Sequence, residues 1–292
     1  MTAIIIDGKQ IAADIQSEIA QQIAERVSAG NAVPGLATVL VGDDPASHIH
    51  VHNKIKTCEK LGIKSFSNEL PANTTQEELE HLITILNEDA AIHGILVQLP
   101  LPEQINEEHI LHLINPRKDV DGIHPYNIGL LSRRFDTPLF FPCTPSGIIY
   151  LIKTVQKDLS GMNAVVIGRS AIVGMPTSLM LSRENATVTI CHSYTKGLED
   201  ICRNADILVA ATGVPHLVKG DWVKPGAIVI DVGINRIPDP TKIKGYHLTG
   251  DTDFDVIKEK ARAITPVPGG VGPMTITMLM RNTVIAAEKY AE

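Results

Sequence analysis

Residues Ala164 to Pro176, AVVIGRSAIVGMP, constrain the fold more than any other stretch of the chain. The apolar run Ala164-Val165-Val166-Ile167 has the composition and length of a buried strand. It stops at Gly168 and passes through Arg169 and Ser170 toward a helix. Strand, tight turn and helix in succession set backbone N–H groups and a helix N-terminus against a phosphate. The glycine spacing departs from the usual dinucleotide fingerprint: G-x-S-x-x-V-G stands where G-x-G-x-x-G is expected. The stretch alone therefore leaves a ligand-free strand-to-helix turn open.

The surrounding text predicts an α/β protein. Gly8 to Val27 reads as an amphipathic helix, with Ile11, Ile15, Ile19 and Ile23 four residues apart. Leu36 to Val41 is a buried strand. Asp44 is a good N-cap, and Pro45 suits the first position of a helix that runs to Leu61 and stops at Gly62. Ile63 to Asn68 is a second strand. Thr75 to Leu86 is a helix opened by the capping box Thr75-Gln76-Glu77-Glu78. Gly94 to Gln98 is a third strand, ended by Leu99-Pro100-Leu101-Pro102. Alternating strands and helices make this half a parallel layer.

From Asn115 to Pro145 five prolines make the text irregular, and the domain crossing is expected there. Ser146 to Gln156 is a helix. Strands are expected at Ala164–Ile167, Thr187–Ile190, Asp206–Ala210 and Ala227–Asp231, with helical segments between them, as in a doubly wound sheet. Pro266 to Pro273 is a stiff glycine-punctuated loop, and Pro273 opens a long helix to about Tyr290. A length of 292 residues favours two domains. They are expected at 1–122, joined by a C-terminal helix at 274–292, and at 140–272.

Composition excludes other classes. A net charge of -7 argues against nucleic acid as the main partner. No apolar run approaches the ~20 residues of a membrane span. The opening MTAIIIDGKQ has no basic region ahead of its apolar residues, so it does not read as a signal peptide. Cys58, Cys143, Cys191 and Cys202 show no C-x-x-C spacing and read as reduced thiols of a cytoplasmic protein.

The nucleotide follows from charge. NAD-binding units carry an acidic residue about 20 residues past the glycine turn, where it holds the ribose 2′-hydroxyl. Here Thr187-Val188-Thr189-Ile190 ends in Cys191-His192-Ser193, with no carboxylate. Arg169 lies in the first turn and Lys196 close behind the second strand, so NADP is expected over NAD. The helix after Pro45 carries Ser47, His50 and Lys54 at steps of three and four, hence on one face. That helix starts at the strand edge where α/β ligand sites form, and Gln98 ends another strand of the same layer. A half-buried Lys54 would have a lowered pKa and could serve as a base near neutrality. His48 and His52 are spaced for two metal ligands, but no third is evident and no metal is expected. Asp121, in Lys118-Asp119-Val120-Asp121-Gly122, is either a turn residue or a carboxylate able to hold an amino-pyrimidine edge with paired hydrogen bonds.

Six stretches in order, VGDDPAS (41–47), VQLPLP (97–102), NPRKDVDG (115–122), PCTPSG (142–147), GRSAIVGMP (168–176) and TPVPGGVGPMT (265–275), resemble the bifunctional methylenetetrahydrofolate dehydrogenase/cyclohydrolases, the FolD family. The resemblance covers nearly the whole chain. It implies an N-terminal catalytic domain, a C-terminal Rossmann domain, folate in the cleft between them, and a homodimer. It implies oxidation of 5,10-methylenetetrahydrofolate with NADP, then hydrolysis of the methenyl product to 10-formyltetrahydrofolate, a step of one-carbon metabolism. Lys54 would be the central catalytic lysine, Gln98 its partner and Asp121 the pterin anchor. Ser47 and the Leu99-Pro100 backbone would line the folate site. Gly168, Arg169, Ser170, Ser193 and Ile234 would bind the cofactor, with Gly272 and Thr275 where pterin meets nicotinamide.

One position departs from the pattern: His50 stands where the family has a tyrosine, four residues before the lysine. An imidazole can stack and hydrogen-bond but lacks the phenol and can carry charge. This leaves open a dehydrogenase with a weakened, pH-dependent cyclohydrolase step. A two-domain NADP dehydrogenase acting on another substrate, or a non-catalytic NADP sensor, shares the architecture but gives no reason for VQLPLP or PGGVGPMT.

Overall fold

The computed structural model describes residues 2–242 and 245–290. In chain order the first half contains β1 (Ile4–Ile5), α1 (Gly8–Ser28), β2 (Gly35–Val41), α2 (Pro45–Leu61), β3 (Lys64–Leu70), α3 (Gln76–Glu88), β4 (Gly94–Val97), α4 (Glu107–Leu113) and α5 (Pro125–Ser132). There follow α6 (Cys143–Val155), β5 (Asn163–Ile167), α7 (Gly174–Arg183), β6 (Thr187–Cys191), α8 (Leu198–Cys202), β7 (Ile207–Ala210) and β8 (Ile228–Asp231). The last elements are β9 (Asn235–Pro238), β10 (Tyr246–Thr249), α9 (Phe254–Ile257), β11 (Ala263–Ile264) and α10 (Val271–Lys289). The chain forms two compact units, one of residues up to Ala12 with Thr144–Thr275, the other of Ala13–Cys143 with Ile276 onward. The class is therefore α/β with parallel sheets in two domains.

The first unit holds a six-stranded sheet in the order β1-β11-β8-β7-β5-β6. Every pairing in it is parallel. A parallel sheet covered on both faces needs near-continuous apolar strands. Ile207-Leu208-Val209-Ala210 and Ile228-Val229-Ile230 satisfy this, all of them buried. Strand order reverses at β5, which has β6 on one side and β7 on the other. Ligand crevices of doubly wound sheets open at the carboxyl end of such a strand. At the far edge Ile4 and Ile5 pair with Ala263 and Ile264. The first residues of the chain thus belong to this unit rather than to an N-terminal domain beginning at residue 1. A two-residue strand has no periodicity to read, and its partner lies almost the whole chain away. The antiparallel β9–β10 pair likewise has no short-range signal in the sequence.

The second unit is built on the parallel order β3-β2-β4. All seven residues of β2 are buried. Its apolar side chains pack with Leu79 and Ile83 of α3 and Ile95 and Val97 of β4. The capping signals act as read. Asp44 accepts the Ser47 N–H at 2.8 Å, Gly62 closes α2 at φ 83°, and Thr75 and Glu78 complete a reciprocal box. The segment 115–145 is less irregular than expected, because α5 forms within it. Pro125 occupies the first helical turn, and His124 caps it by accepting the Tyr126 N–H at 3.0 Å. Similarly α6 begins at Cys143, three residues before the expected Ser146, with Pro145 inside its first turn. A proline there breaks no hydrogen bond, so proline content is no mark of irregular backbone in either place. Among the described residues no helix is long and apolar enough to cross a membrane.

Candidate active site

Lys54 stands on α2, which leaves the carboxyl end of β2, and Gln98 follows the last residue of β4. The two strands are neighbours, so their ends bring the side chains together. Lys54 Nζ donates to Gln98 Oε1 at 2.8 Å. Gln98 Nε2 in turn donates to the Leu99 carbonyl at 2.7 Å, which turns the amide oxygen toward the lysine. Lys54 does not point into open solvent. Burial lowers its pKa from the usual lysine value, against the opposing pull of Asp121 and Cys143. A desolvated amine reaches its neutral, proton-accepting form at a lower pH than a surface lysine.

Asp121 faces the same group. Burial pushes its carboxyl up, while Lys54 and the Cys143 thiol draw it back down. The loop that carries it is fixed from three sides. Asp119 is buried and accepts from Asn127 Nδ2 at 2.7 Å, the His124 N–H at 2.9 Å and the Ile123 N–H at 3.3 Å. Burial pushes the Asp119 carboxyl up to about 7 despite those donors. The Cys143 N–H donates to the Asp121 carbonyl at 3.1 Å, and its thiol to the Val120 carbonyl at 3.3 Å. From α10, Asn282 Nδ2 donates to the carbonyls of Val120 at 2.8 Å and Phe141 at 3.0 Å. Asp119, Asn127, Cys143 and Asn282 were not identified from the sequence. For Asn282 one signal existed, a single amide in the apolar run after Ile276, because a buried polar group must have partners.

The other expected residues fall into place unevenly. Ser47 is buried in the first turn of α2. His50 is exposed, one turn ahead of Lys54. Ser47, His50 and Lys54 thus span a graded face, from buried to exposed. The Leu99-Pro100 peptide is cis. Ile234 and Gly272 meet in the first unit, where they line a cavity of about 150 Å³ with residues 231–233 and 266–273. Thr275 shares a 2.9 Å hydroxyl–hydroxyl hydrogen bond with Thr144. Among the described residues no group of three or more His, Cys, Asp or Glu side chains converges to hold a metal ion.

At the β5 switch point lies a larger cavity of about 540 Å³. The unusual glycine spacing has a steric reason. Gly168 has φ +124°, and a Cβ there would lie 2.2 Å from the Ala211 carbonyl oxygen. A Cβ on Gly174 would lie 2.2 Å from the Gly168 carbonyl oxygen. Only these two positions must lack a side chain for the turn to close. Ser170 occupies the middle position, and its hydroxyl accepts the N–H groups of Val173 at 3.2 Å and Gly174 at 3.3 Å. It thereby delays the start of α7 to Gly174, later than a helix running straight on from Ser170. Arg169, Ser170, His192, Ser193, Thr195 and Thr212 supply polar side chains to the lining beside Gly168, and no carboxylate is among the lining residues. Lys196 is exposed and is not part of the lining. The arrangement suits a dinucleotide with an additional phosphate: polar N–H groups at the turn, one guanidinium, and nothing to repel a dianion.

A nucleotide-binding doubly wound unit combined with a unit carrying a half-buried lysine–glutamine–aspartate group defines a nicotinamide-nucleotide-dependent enzyme with a separate catalytic domain. Residues 6–121 match the family model described as "Tetrahydrofolate dehydrogenase/cyclohydrolase, catalytic domain", and residues 142–291 match that family's "NAD(P)-binding domain". The chain belongs to the tetrahydrofolate dehydrogenase/cyclohydrolase family. It is 54% identical over 286 residues to "Bifunctional protein FolD 2" of Geobacter sulfurreducens, covering 98% of this chain and 97% of that protein. It also resembles the solved bifunctional FolD enzyme of Campylobacter jejuni, with a TM-score of 0.93 and 47% identity over 98% of this chain and 99% of that one. The FolD structure of Trypanosoma brucei, complexed with NADP cofactor and inhibitor, matches with a TM-score of 0.95 and 43% identity, over 99% of this chain and 98% of that one. A dehydrogenase for another substrate, and one whose hydrolytic step is impaired by His50, are not favoured by these likenesses.

Proposed function

We propose that this protein oxidises 5,10-methylenetetrahydrofolate and hydrolyses the resulting 5,10-methenyltetrahydrofolate to 10-formyltetrahydrofolate, with Lys54 as the working base. NADP, when bound, supplies the acceptor for the hydride that leaves the methylene carbon. The product is a cation shared between two nitrogens. An uncharged Lys54 tolerates that cation where an ammonium would oppose it. In hydrolysis a water adds its oxygen to the methenyl carbon and must lose a proton. Lys54 takes that proton; the added hydroxyl then gives up its second proton as it becomes the formyl C=O, and N5, whose bond to that carbon breaks, takes one up as an amine N–H, leaving the formyl group on N10. Gln98 holds the amine in place, and Asp121 pairs with the amino-pyrimidine edge of the pterin. Ser47 and the Leu99-Pro100 backbone border the folate, with Gly272 and Thr275 near the nicotinamide. Gly168, Arg169, Ser170, Ser193 and Ile234 hold the cofactor.

The observation that carries this reading is the 2.8 Å Lys54–Gln98 bond in surroundings that lower the lysine pKa. The test mixes the protein with methylenetetrahydrofolate and NADP and follows NADPH and the methenyl chromophore together. Wild type forms NADPH with little methenyl accumulation. Lys54→Met still binds NADP but no longer consumes added methenyltetrahydrofolate. Hydrolysis at the wild-type rate in Lys54→Met would remove the lysine from the mechanism. A cytoplasmic homodimer is part of the same reading. The four cysteines are free and buried, as suits a reducing compartment. Sedimentation at assay concentrations tests the dimer.

A further inference from the structure

We propose that Tyr194 sets the preference for the 2′-phosphorylated nucleotide, by holding the Arg169 guanidinium at the mouth of the β5–β6 crevice. The inference rests on the NADP reading above and adds the device that makes Arg169 selective.

Tyr194 is 80% exposed, so burial does not account for its place. Its backbone is nevertheless pinned. The Tyr194 N–H donates to His192 Nδ1 at 3.2 Å, the Thr195 N–H to the His192 carbonyl at 2.8 Å, and the His192 N–H to Thr195 Oγ1 at 2.9 Å. The ring stands edge-on to His192, with centroids 6.2 Å apart. These contacts fix the backbone of an exposed turn and set an aromatic ring beside His192, at the strand end where NAD-binding units carry their ribose carboxylate.

Arg169 is exposed, and among the described residues its one polar or ring interaction is with that face, the guanidinium carbon lying 6.0 Å from the centroid. An exposed arginine loses much rotamer freedom when it clamps a ligand. A guanidinium resting on an aromatic face has lost part of that freedom beforehand. A cation–π contact engages the charge and leaves the N–H donors free to reach a phosphate. The fork matches the paired oxygens of a phosphate monoester, and a 2′-hydroxyl offers it nothing comparable. Lys196, two residues after Tyr194, is a cation in the same segment and stands as a rival source of selectivity.

The experiment measures KM for NADP and for NAD, and binding of NADPH and NADH by nicotinamide fluorescence, with the full chain. Tyr194→Leu should lower the NADP-over-NAD preference by about two- to fivefold, as expected for loss of an exposed cation–π contact. The change falls on KM for NADP and spares kcat. Tyr194→Phe keeps the face and restores the preference. In an Arg169→Leu background Tyr194→Leu adds nothing, since its effect passes through the guanidinium. An unchanged preference in Tyr194→Leu overturns the proposal. So does an equal loss for both nucleotides, an additive effect in the double variant, or failure of Tyr194→Phe to restore the preference. If Arg169→Leu alone leaves the preference intact while Lys196→Leu abolishes it, the reading of Arg169 itself falls.

Discussion

Replacing Gln98 by glutamate tests the protonation of Lys54 directly. The change is nearly isosteric and puts a carboxylate oxygen where an amide oxygen now accepts at 2.8 Å from Nζ. Two opposite charges about 4 Å apart in a medium of effective dielectric ~20 attract by about 4 kcal/mol. At about 1.4 kcal/mol per pKa unit, that raises the lysine pKa by up to about three units. Desolvation of the new carboxylate offsets part of the gain. The sign is fixed: a negative neighbour favours the ammonium, so the neutral amine forms only at higher pH. Near pH 7 hydrolysis of methenyltetrahydrofolate should fall by about 10²- to 10³-fold. The limb of the pH profile on which activity rises should move to the alkaline side. Stopped-flow decay of the methenyl chromophore across pH reads both effects. A fallen rate on an unmoved profile would refute the argument, because Gln98 would then position a group whose protonation does not limit the reaction.

Three further outcomes follow from the same geometry. Asn282→Leu strips the carbonyls of Val120 and Phe141 of their shared donor, and should cost about 1–3 kcal/mol in urea unfolding while raising the KM for folate more than that for NADP. The Asp119 carboxyl, held at about 7 in the fold against an ordinary 3.8, binds its proton more tightly folded than unfolded. Stability should therefore fall as pH rises through that window, and Asp119→Asn, though less stable for its misdirected amide, should flatten the slope measured by urea titration at successive pH values. Gly168→Ala forces a Cβ to 2.2 Å from the Ala211 carbonyl oxygen in a left-handed turn, so NADP binding measured calorimetrically should disappear while hydrolysis of added methenyltetrahydrofolate persists.

What could be read from the residues was local. Asp44 and Gly62 delimit α2, Thr75 and Glu78 cap α3, and the apolar runs of β2, β5, β7 and β8 announce strands covered on both faces. Each of these signals lies within a few residues of its effect, so no knowledge of the rest of the chain is needed. The missing carboxylate after β6 was visible in the same way, and with it the expectation of NADP. Proline was the misleading letter. At Pro125 and Pro145 it opens helices, and the text around it reads as a break.

Packing alone decided the remainder. Ile4 and Ile5 become a strand because Ala263 and Ile264 offer an edge, and no pattern in two residues foretells a partner so distant. Lys54 is an ordinary lysine until β2 and β4 pair and bring Gln98 to it. The rise of Asp119 and the fall of Lys54 are chiefly desolvation effects, which follow from tertiary burial rather than from the identity of sequence neighbours. Secondary structure is encoded at short range by backbone sterics and periodicity. Ionisation and long-range hydrogen bonds depend on which groups lose their water, and that is settled only when the chain has closed around them.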